Sequence, residues 1–295
     1  MRLYVIGAEG QVARSLREAA SLHENIAIGF GARPEVDLLH PDSIKTAIAK
    51  FRPDVVINPA AYTAVDKAEL EPDQAYSLNR DGARAVANAA RIHGAPVIHL
   101  STDYVFDGNK IGAYVESDPV APQGIYGRSK LEGELAVAEA NPRHVVLRTS
   151  WVYAPFGSNF VRTMLRLAAV RERLRVVDDQ IGCPTYAPDI ACAIIGMARK
   201  LTNSNWRSDF AGVTHLAGPD ALTWCAFARE IIRANAERGG RSVPVDPITS
   251  SDFPTPARRP ANSRLSTARL ESVFDIRIPP MKSSLANCLD QLTPH

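Results

Sequence analysis

An apolar strand running straight into a glycine-marked turn opens the chain. Arg2-Leu3-Tyr4-Val5-Ile6 is followed at once by Gly7-Ala8-Glu9-Gly10-Gln11-Val12-Ala13. The first run is short, apolar and β-branched, as a buried strand is. Behind the turn, Val12, Leu16 and Ala20 recur at helical spacing. A Gly-x-x-Gly-x-x-small spacing turns a strand sharply into a helix with bare amides aimed at a phosphate. Gly7 permits the turn and Gly10 lets a pyrophosphate approach. Ala13 stands where a third glycine often packs helix against sheet. Similar glycines mark ordinary turns, but the strand before and the helix after favour dinucleotide binding.

Strand-like and helical runs alternate through the first half. Ile26–Phe30, Asp54–Pro59, Pro96–Leu100 and His144–Arg148 read as strands. Helices are predicted after Pro41-Asp42-Ser43, over Asp73–His93 and from Tyr126 to Ala140. With right-handed crossovers the result is a Rossmann-like, doubly wound parallel α/β sheet, with its chemistry at the carboxyl ends of the strands. The second half is less regular. Proline is concentrated from Pro244 to Pro280, and Phe253–Pro260 cannot form a continuous helix. A smaller α+β substrate-binding lobe closing over a cleft is expected there. The dinucleotide-binding domain is placed at 1–150 with about 173–213 and 256–272. The lobe takes about 151–172, 214–255 and 273–295.

Bulk properties exclude several classes. A net charge of +2 spread along 295 residues leaves no footprint for nucleic acid or an anionic membrane. No apolar run is long enough to span a bilayer, and the N-terminus enters a strand without a signal-peptide pattern. Cys183, Cys192, Cys225 and Cys288 lack metal-ligand spacing and read as buried thiols. The seven His form no cluster, so no metal site is expected. A cytoplasmic protein is expected.

The chemistry centres on Tyr126-Gly-Arg-Ser-Lys130. A Tyr and a Lys four apart share one helix face. An ammonium there favours the phenolate, and bringing a phenol from about 10 to near 7 takes roughly 4 kcal/mol. A phenol so tuned protonates a developing alkoxide, as a carbonyl reductase requires. Thr102 ends the fourth strand, where its hydroxyl either bonds the same carbonyl oxygen or is tied to backbone. Lys130 also reaches for ribose hydroxyls. Past the second strand, Gly29–Arg33 carries no acid but does carry Arg33, which leans the cofactor to NADPH over NADH, a solvated arginine being the alternative. Asp66 and Glu69 read as solvated loop acids. Trp151 either stacks on a sugar or base or belongs to the core. Arg258-Arg259 is either a diphosphate clamp or a solvated pair.

Taken in order, these residues resemble a known family. Gly7–Gln11, Asn-Pro-Ala-Ala-Tyr-Thr-Ala-Val-Asp at 58–66, Ser-Thr-Asp-Tyr-Val-Phe-Asp-Gly at 101–108 and Tyr126–Lys130 carry the likeness. Arg-Thr-Ser-Trp-Val-Tyr at 148–153, Asp-Gln-x-Gly-x-Pro-Thr at 179–185 and Arg-Pro-x-Asn-Ser at 259–263 complete it. The series is similar to the dTDP-4-dehydrorhamnose reductases, extended short-chain dehydrogenases/reductases. The resemblance implies hydride delivery to C4 of dTDP-4-dehydro-β-L-rhamnose, in dTDP-L-rhamnose biosynthesis. It implies catalytic roles for Thr102, Tyr126 and Lys130. It implies cofactor contacts at Gly10, Gln11, Val12, Asp37, Leu38, Ala60, Ala61, Tyr62 and Asn79, and substrate contacts at Val65, Asp103, Tyr104 and Trp151. Some relatives dimerise around magnesium held by glutamates. Ser15 and Pro188 stand where such acids would be expected, so a monomer or metal-free homodimer is expected. The alternatives are a reductase of another dTDP-4-keto-6-deoxyhexose and a non-catalytic NADP-binding regulatory subunit of the methionine adenosyltransferase type.

Overall fold

The computed structural model describes residues 1–203 and 206–292. Residues 204–205 and 293–295 of the domains expected above lie outside them. Strand β1 (Arg2–Ile6) feeds α1 (Gln11–Ser21), which buries Val12, Ala13, Leu16 and Ala20 on one face. Then come β2 (Ala27–Gly31), α2 (Pro41–Phe51) and β3 (Val55–Asn58), whose four residues are all buried. Short helices α3 (Val65–Ala68) and α4 (Pro72–Tyr76) precede α5 (Ala83–His93), which stops at Gly94 in the left-handed region. The single helix expected over Asp73–His93 is interrupted by a π turn at Ser77–Gly82, which turns Asn79 inward. Strand β4 (Val97–Thr102), α6 (Ile125–Ala140) and β5 (His144–Thr149) close the first half.

The second half contributes β6 (Val152–Tyr153), α7 (Phe160–Val170), β7 (Leu174–Val177), β8 (Ile181–Gly182), β9 (Thr185–Tyr186) and α8 (Ala187–Asn203). After β10 (Gly212–His215) come β11 (Leu222–Thr223), α9 (Trp224–Ala236), β12 (Val245–Ile248) and β13 (Asn262–Ser263). Helices α10 (Ala268–Phe274) and α11 (Met281–Asp290) follow. Residues 253–260 form no helix, as their prolines require.

Six strands form one parallel sheet in the order β10-β5-β4-β3-β1-β2. The order reverses between β1 and β3, the crevice where doubly wound sheets hold ligands. One face is covered by α1, α8 and α10, where Leu16, Ile194 and Leu270 join Val5 and Ile57 in a single core. Val86, Ile44 and Val137 cover the other. A separate core in the second half packs Phe227, Ile231 and Leu285 with Tyr153.

Two segments depart from the expected boundaries. Residues 174–177 pair with β12, and Leu174 and Val176 lie in the second core rather than beside the main sheet. The chain also stays in the main sheet through His215. The cysteine expectation needs a correction too. All four are free thiols, but Cys192 is exposed, because it points outward from α8.

Candidate active site

The carboxyl ends of β1, β3, β4 and β5 open with the second lobe onto a cleft of about 640 Å³. Gly7, Gly10, Gln11, Val12, Ala60 and Ala61 line one part of it. Val65, Thr102, Asp103, Tyr104, Tyr126, Lys130, Trp151 and Arg259 line the rest. Five of the expected cofactor contacts do not. Arg33 is exposed just past β2, and the Asp37 carboxylate accepts from the Leu39 N–H. Leu38 packs where a Cβ on Gly82 would meet it at 2.9 Å. Tyr62 and Asn79 bond one another, Tyr62 N–H donating to Asn79 Oδ1 at 2.8 Å and Asn79 Nδ2 to the Tyr62 carbonyl at 3.2 Å. They brace the loop after β3 rather than face the cleft.

The glycine turn fits a dinucleotide. Gly7 has φ +91°, a conformation that bulkier residues resist, and its N–H donates to the Gly31 carbonyl at 2.6 Å. A Cβ on Gly10 would meet nothing within 4 Å, so space stands open before the first amides of α1. That first turn carries no acidic side chain to repel a phosphate. Gln11 Oε1 accepts from Asn159 Nδ2 at 2.9 Å, tying the turn to the cap of α7 in the second lobe.

Thr102 ends β4 with its hydroxyl donating to Asp103 Oδ1 at 3.1 Å and accepting from Tyr104 N–H at 3.3 Å. Tyr126 lies in the first turn of α6, its ring edge-on to that of Tyr104 at 5.5 Å. The Tyr104 hydroxyl accepts from Arg259 Nη1 at 3.1 Å, and Arg259 Nη2 donates to Asp66 Oδ2 at 2.8 Å. Asp66 is therefore more than a solvated acid. It anchors Arg259 across 193 residues of sequence, and its other oxygen accepts the Ala257 N–H. Of the arginine pair only Arg259 reaches the cleft. Arg258 is exposed and reaches toward Gln123.

Glu69 is likewise no bystander. Its Oε1 accepts the Ile125 N–H at 2.8 Å, capping α6, whose own Gly124 cap has no side chain to do so. Two glycines hold the same helix close to its neighbours. A Cβ on Gly127 would lie 2.2 Å from the Tyr104 carbonyl oxygen, and one on Gly133 would lie 2.1 Å from that of Asn79. Removing the cap by Glu69→Ala is expected to cost about 0.5–2 kcal/mol of stability, read by denaturant unfolding.

The electrostatics differ from the sequence expectation. Desolvation pushes the Tyr126 phenol well above its ordinary value, the Thr102 hydroxyl acting the other way. Lys130 does not oppose it, because its Nζ donates to the Leu100 carbonyl at 2.6 Å and lies 3.4 Å from His99 Nε2. Burial itself lowers Lys130 to about 8, with Glu134 opposing. A phenol brought near 7 by the lysine is thus corrected to a phenol that stays protonated. Burial also raises Asp103 to about 6, against the Ser263 and Thr102 hydroxyls.

Trp151 packs against the second core and also borders the cleft. It has φ +49° and its indole stacks on Trp224, centroids 3.4 Å apart and planes within 4°. On Gly182 a Cβ would lie 2.3 Å from its Cε2, so packing holds the ring while it still borders the cleft. The sequence reading missed Trp224, Ser150 and Ser158 in the lining. Thr223 before Trp224 is a helix-cap signal, its Oγ1 accepting the Ala226 N–H, but nothing local indicates that Trp224 faces Trp151.

A family profile described as "RmlD substrate binding domain" matches residues 1–293. The dTDP-4-dehydrorhamnose reductase of Sinorhizobium fredii is 49% identical over 284 residues, covering 96% of this chain and 95% of that one. The chain belongs to the dTDP-4-dehydrorhamnose reductase family. The Escherichia coli enzyme of that name is 39% identical, covering 99% of this chain and 98% of its own length. Among solved structures, the Bacillus anthracis dTDP-4-dehydrorhamnose reductase in complex with NADP superposes with a TM-score of 0.89 at 35% identity, covering 98% of this chain and 99% of that one. Membership in this reductase family accounts for the pairing of the glycine turn with Thr102, Tyr126 and Lys130 round one cleft. Among the described residues no helix is long and apolar enough to cross a membrane.

Proposed function

We propose that this chain reduces the C4 ketone of dTDP-4-dehydro-β-L-rhamnose to dTDP-β-L-rhamnose with NADPH. The reading rests above all on Thr102, Tyr126 and Lys130 sharing one cleft with Gly7 and Gly10. The reduced nicotinamide supplies a hydride to the C4 carbon. Thr102 and Tyr126 hold the C4 oxygen between their hydroxyls. Tyr126, kept protonated by burial, gives its proton to that oxygen as the carbonyl becomes an alcohol. Lys130 keeps a hydrogen free for the nicotinamide ribose beyond those aimed at β4. Amides at Gly10, Gln11 and Val12 take the diphosphate of the cofactor, with Ala60 and Ala61 packed against it.

Arg33 is the cation we assign to the 2′-phosphate, with Asp37 and Leu38 on the adenosine side. Tyr62 and Asn79 hold that wall in place. Val65, Asp103, Tyr104 and Trp151 border the sugar, and Arg259, held by Asp66, takes a phosphate of the sugar nucleotide. The lobe at about 151–172, 216–255 and 273–295 is assigned to the sugar nucleotide, with 174–177 added to it. We further propose a cytoplasmic enzyme, active as a monomer or a metal-free homodimer. Ser15 is buried and donates to the Gln11 carbonyl at 2.8 Å, so that position of α1 offers no carboxylate to a metal.

Incubation with enzymatically prepared dTDP-4-dehydro-L-rhamnose and either nicotinamide tests the reading by loss of reduced-nicotinamide absorbance. Rapid oxidation, faster with NADPH than with NADH, is expected. Tight cofactor binding without oxidation would overturn the substrate assignment.

A further inference from the structure

Behind the cleft a buried polar chain crosses from β3 to α6. His99 on β4 is fully buried, with Nδ1 3.1 Å from Asn58 Nδ2 and Nε2 3.4 Å from Lys130 Nζ. A lysine ammonium has only hydrogens to offer. The ring nitrogen facing it must then be an acceptor, which puts the single ring proton on Nδ1. That proton needs an acceptor of its own, and Asn58 Oδ1 is a buried oxygen without a hydrogen-bond partner. A half-turn of the Asn58 amide keeps the same shape and presents Oδ1 to Nδ1–H. A doubly protonated ring is excluded, because burial and the Lys130 charge hold His99 well below the usual imidazole range.

We propose that His99 is a positioning residue for Lys130. Its neutral, Nδ1-protonated ring accepts one ammonium hydrogen, keeps Lys130 charged in a buried setting, and leaves another hydrogen for the cleft. The inference rests on the role given to Lys130 above. Other titratable groups lie on the elements packed around that ammonium. Glu134 lies one turn along α6 and is itself paired with Arg148 of β5. Tyr126 lies one turn back on α6, and Asp103 follows β4 at the end of the cleft. From β4, His99 and the Leu100 carbonyl are the two acceptors that touch Nζ.

The readout is the alkaline limb of kcat/KM for ketone reduction. Lys130 lies at about 8 and Tyr126 well above its ordinary value, so rising pH discharges the lysine first. His99→Phe removes the acceptor and is expected to move that limb down by about one pH unit or more. His99→Gln, whose amide oxygen still accepts, is expected to hold it near the wild-type position. Lys130→Met, measured alongside, is expected to be nearly inactive. An inactive Lys130→Met with an unmoved limb in His99→Phe would overturn this inference alone. A fully active Lys130→Met would overturn the catalytic reading instead. Should His99→Phe not fold, the ¹⁵N spectrum of the wild-type imidazoles decides: a proton on Nδ1 of His99 supports the proposal, and one on Nε2 overturns it.

Discussion

Tyr126→Phe is expected to lower turnover by about 10²–10⁴-fold while leaving dinucleotide binding intact. The size follows from what the substitution removes. The ring stays in place against Tyr104, edge-on at 5.5 Å, so the wall of the cleft keeps its shape. The hydroxyl, which burial keeps protonated, is the donor lost. Water in the open cleft is an unpositioned donor, and Thr102 can orient the oxygen but its aliphatic hydroxyl is a far weaker acid than a phenol. Steady-state turnover with the keto-sugar, set against fluorescence titration with NADPH, separates the two effects. Turnover within a few-fold of wild type would contradict the role of Tyr126.

The largest expected loss of stability lies one layer deeper. Glu134 on α6 meets Arg148 on β5 through two bonds, Nε to Oε1 at 2.9 Å and Nη2 to Oε2 at 2.7 Å, with both side chains about 95% buried. Ser101 of β4 donates to the same carboxylate, and the guanidinium lies over the Phe106 ring at 5.0 Å. The helix bearing Tyr126 and Lys130 is thus pinned to the strands bearing Thr102. Glu134→Ala strands a buried guanidinium, and a loss of about 3–5 kcal/mol in denaturant unfolding is expected. The double replacement Glu134→Leu, Arg148→Met leaves no uncompensated charge and is expected to recover most of that loss. Equal losses in the single and double variants would show that the cost lies in packing rather than in charge. The single variant also removes the carboxylate that raises Lys130, so its alkaline limb is expected to fall as well.

What the sequence made legible was local. The order β1, Gly7, Gly10, α1 follows from β-branched strand residues, a glycine free to take φ +91° and an apolar helical stripe, all within about twenty residues. The strands β3, β4 and β5 stand out by their consecutive apolar residues, Val55–Ile57, Val97–Ile98 and Val145–Leu147, as a sheet covered on both faces demands. The bracing of the site was hidden because it is long-range. Asp66 and Glu69 look like loop acids until the fold brings up Arg259 and the N-terminus of α6. The Tyr126–Lys130 spacing points the lysine at the phenol, whereas the close approach of β4 directs its hydrogens to Leu100 and His99. The two-residue strands β6, β8, β9, β11 and β13 are too short to carry any periodicity. Their pairing partners decide them, as the pairing of β8 with both β11 and β13 shows.

The central claim, that this cleft reduces a sugar ketone, is tested most directly by following the transferred hydrogen. With dTDP-4-dehydro-L-rhamnose and NADPH deuterated on the transferring face of C4, the product NMR spectrum reports where the label goes. Deuterium bound to C4 of the sugar, in a product identical to dTDP-L-rhamnose, is the predicted result. Cofactor left unoxidised, or oxidised without deuterium at that carbon, would contradict it.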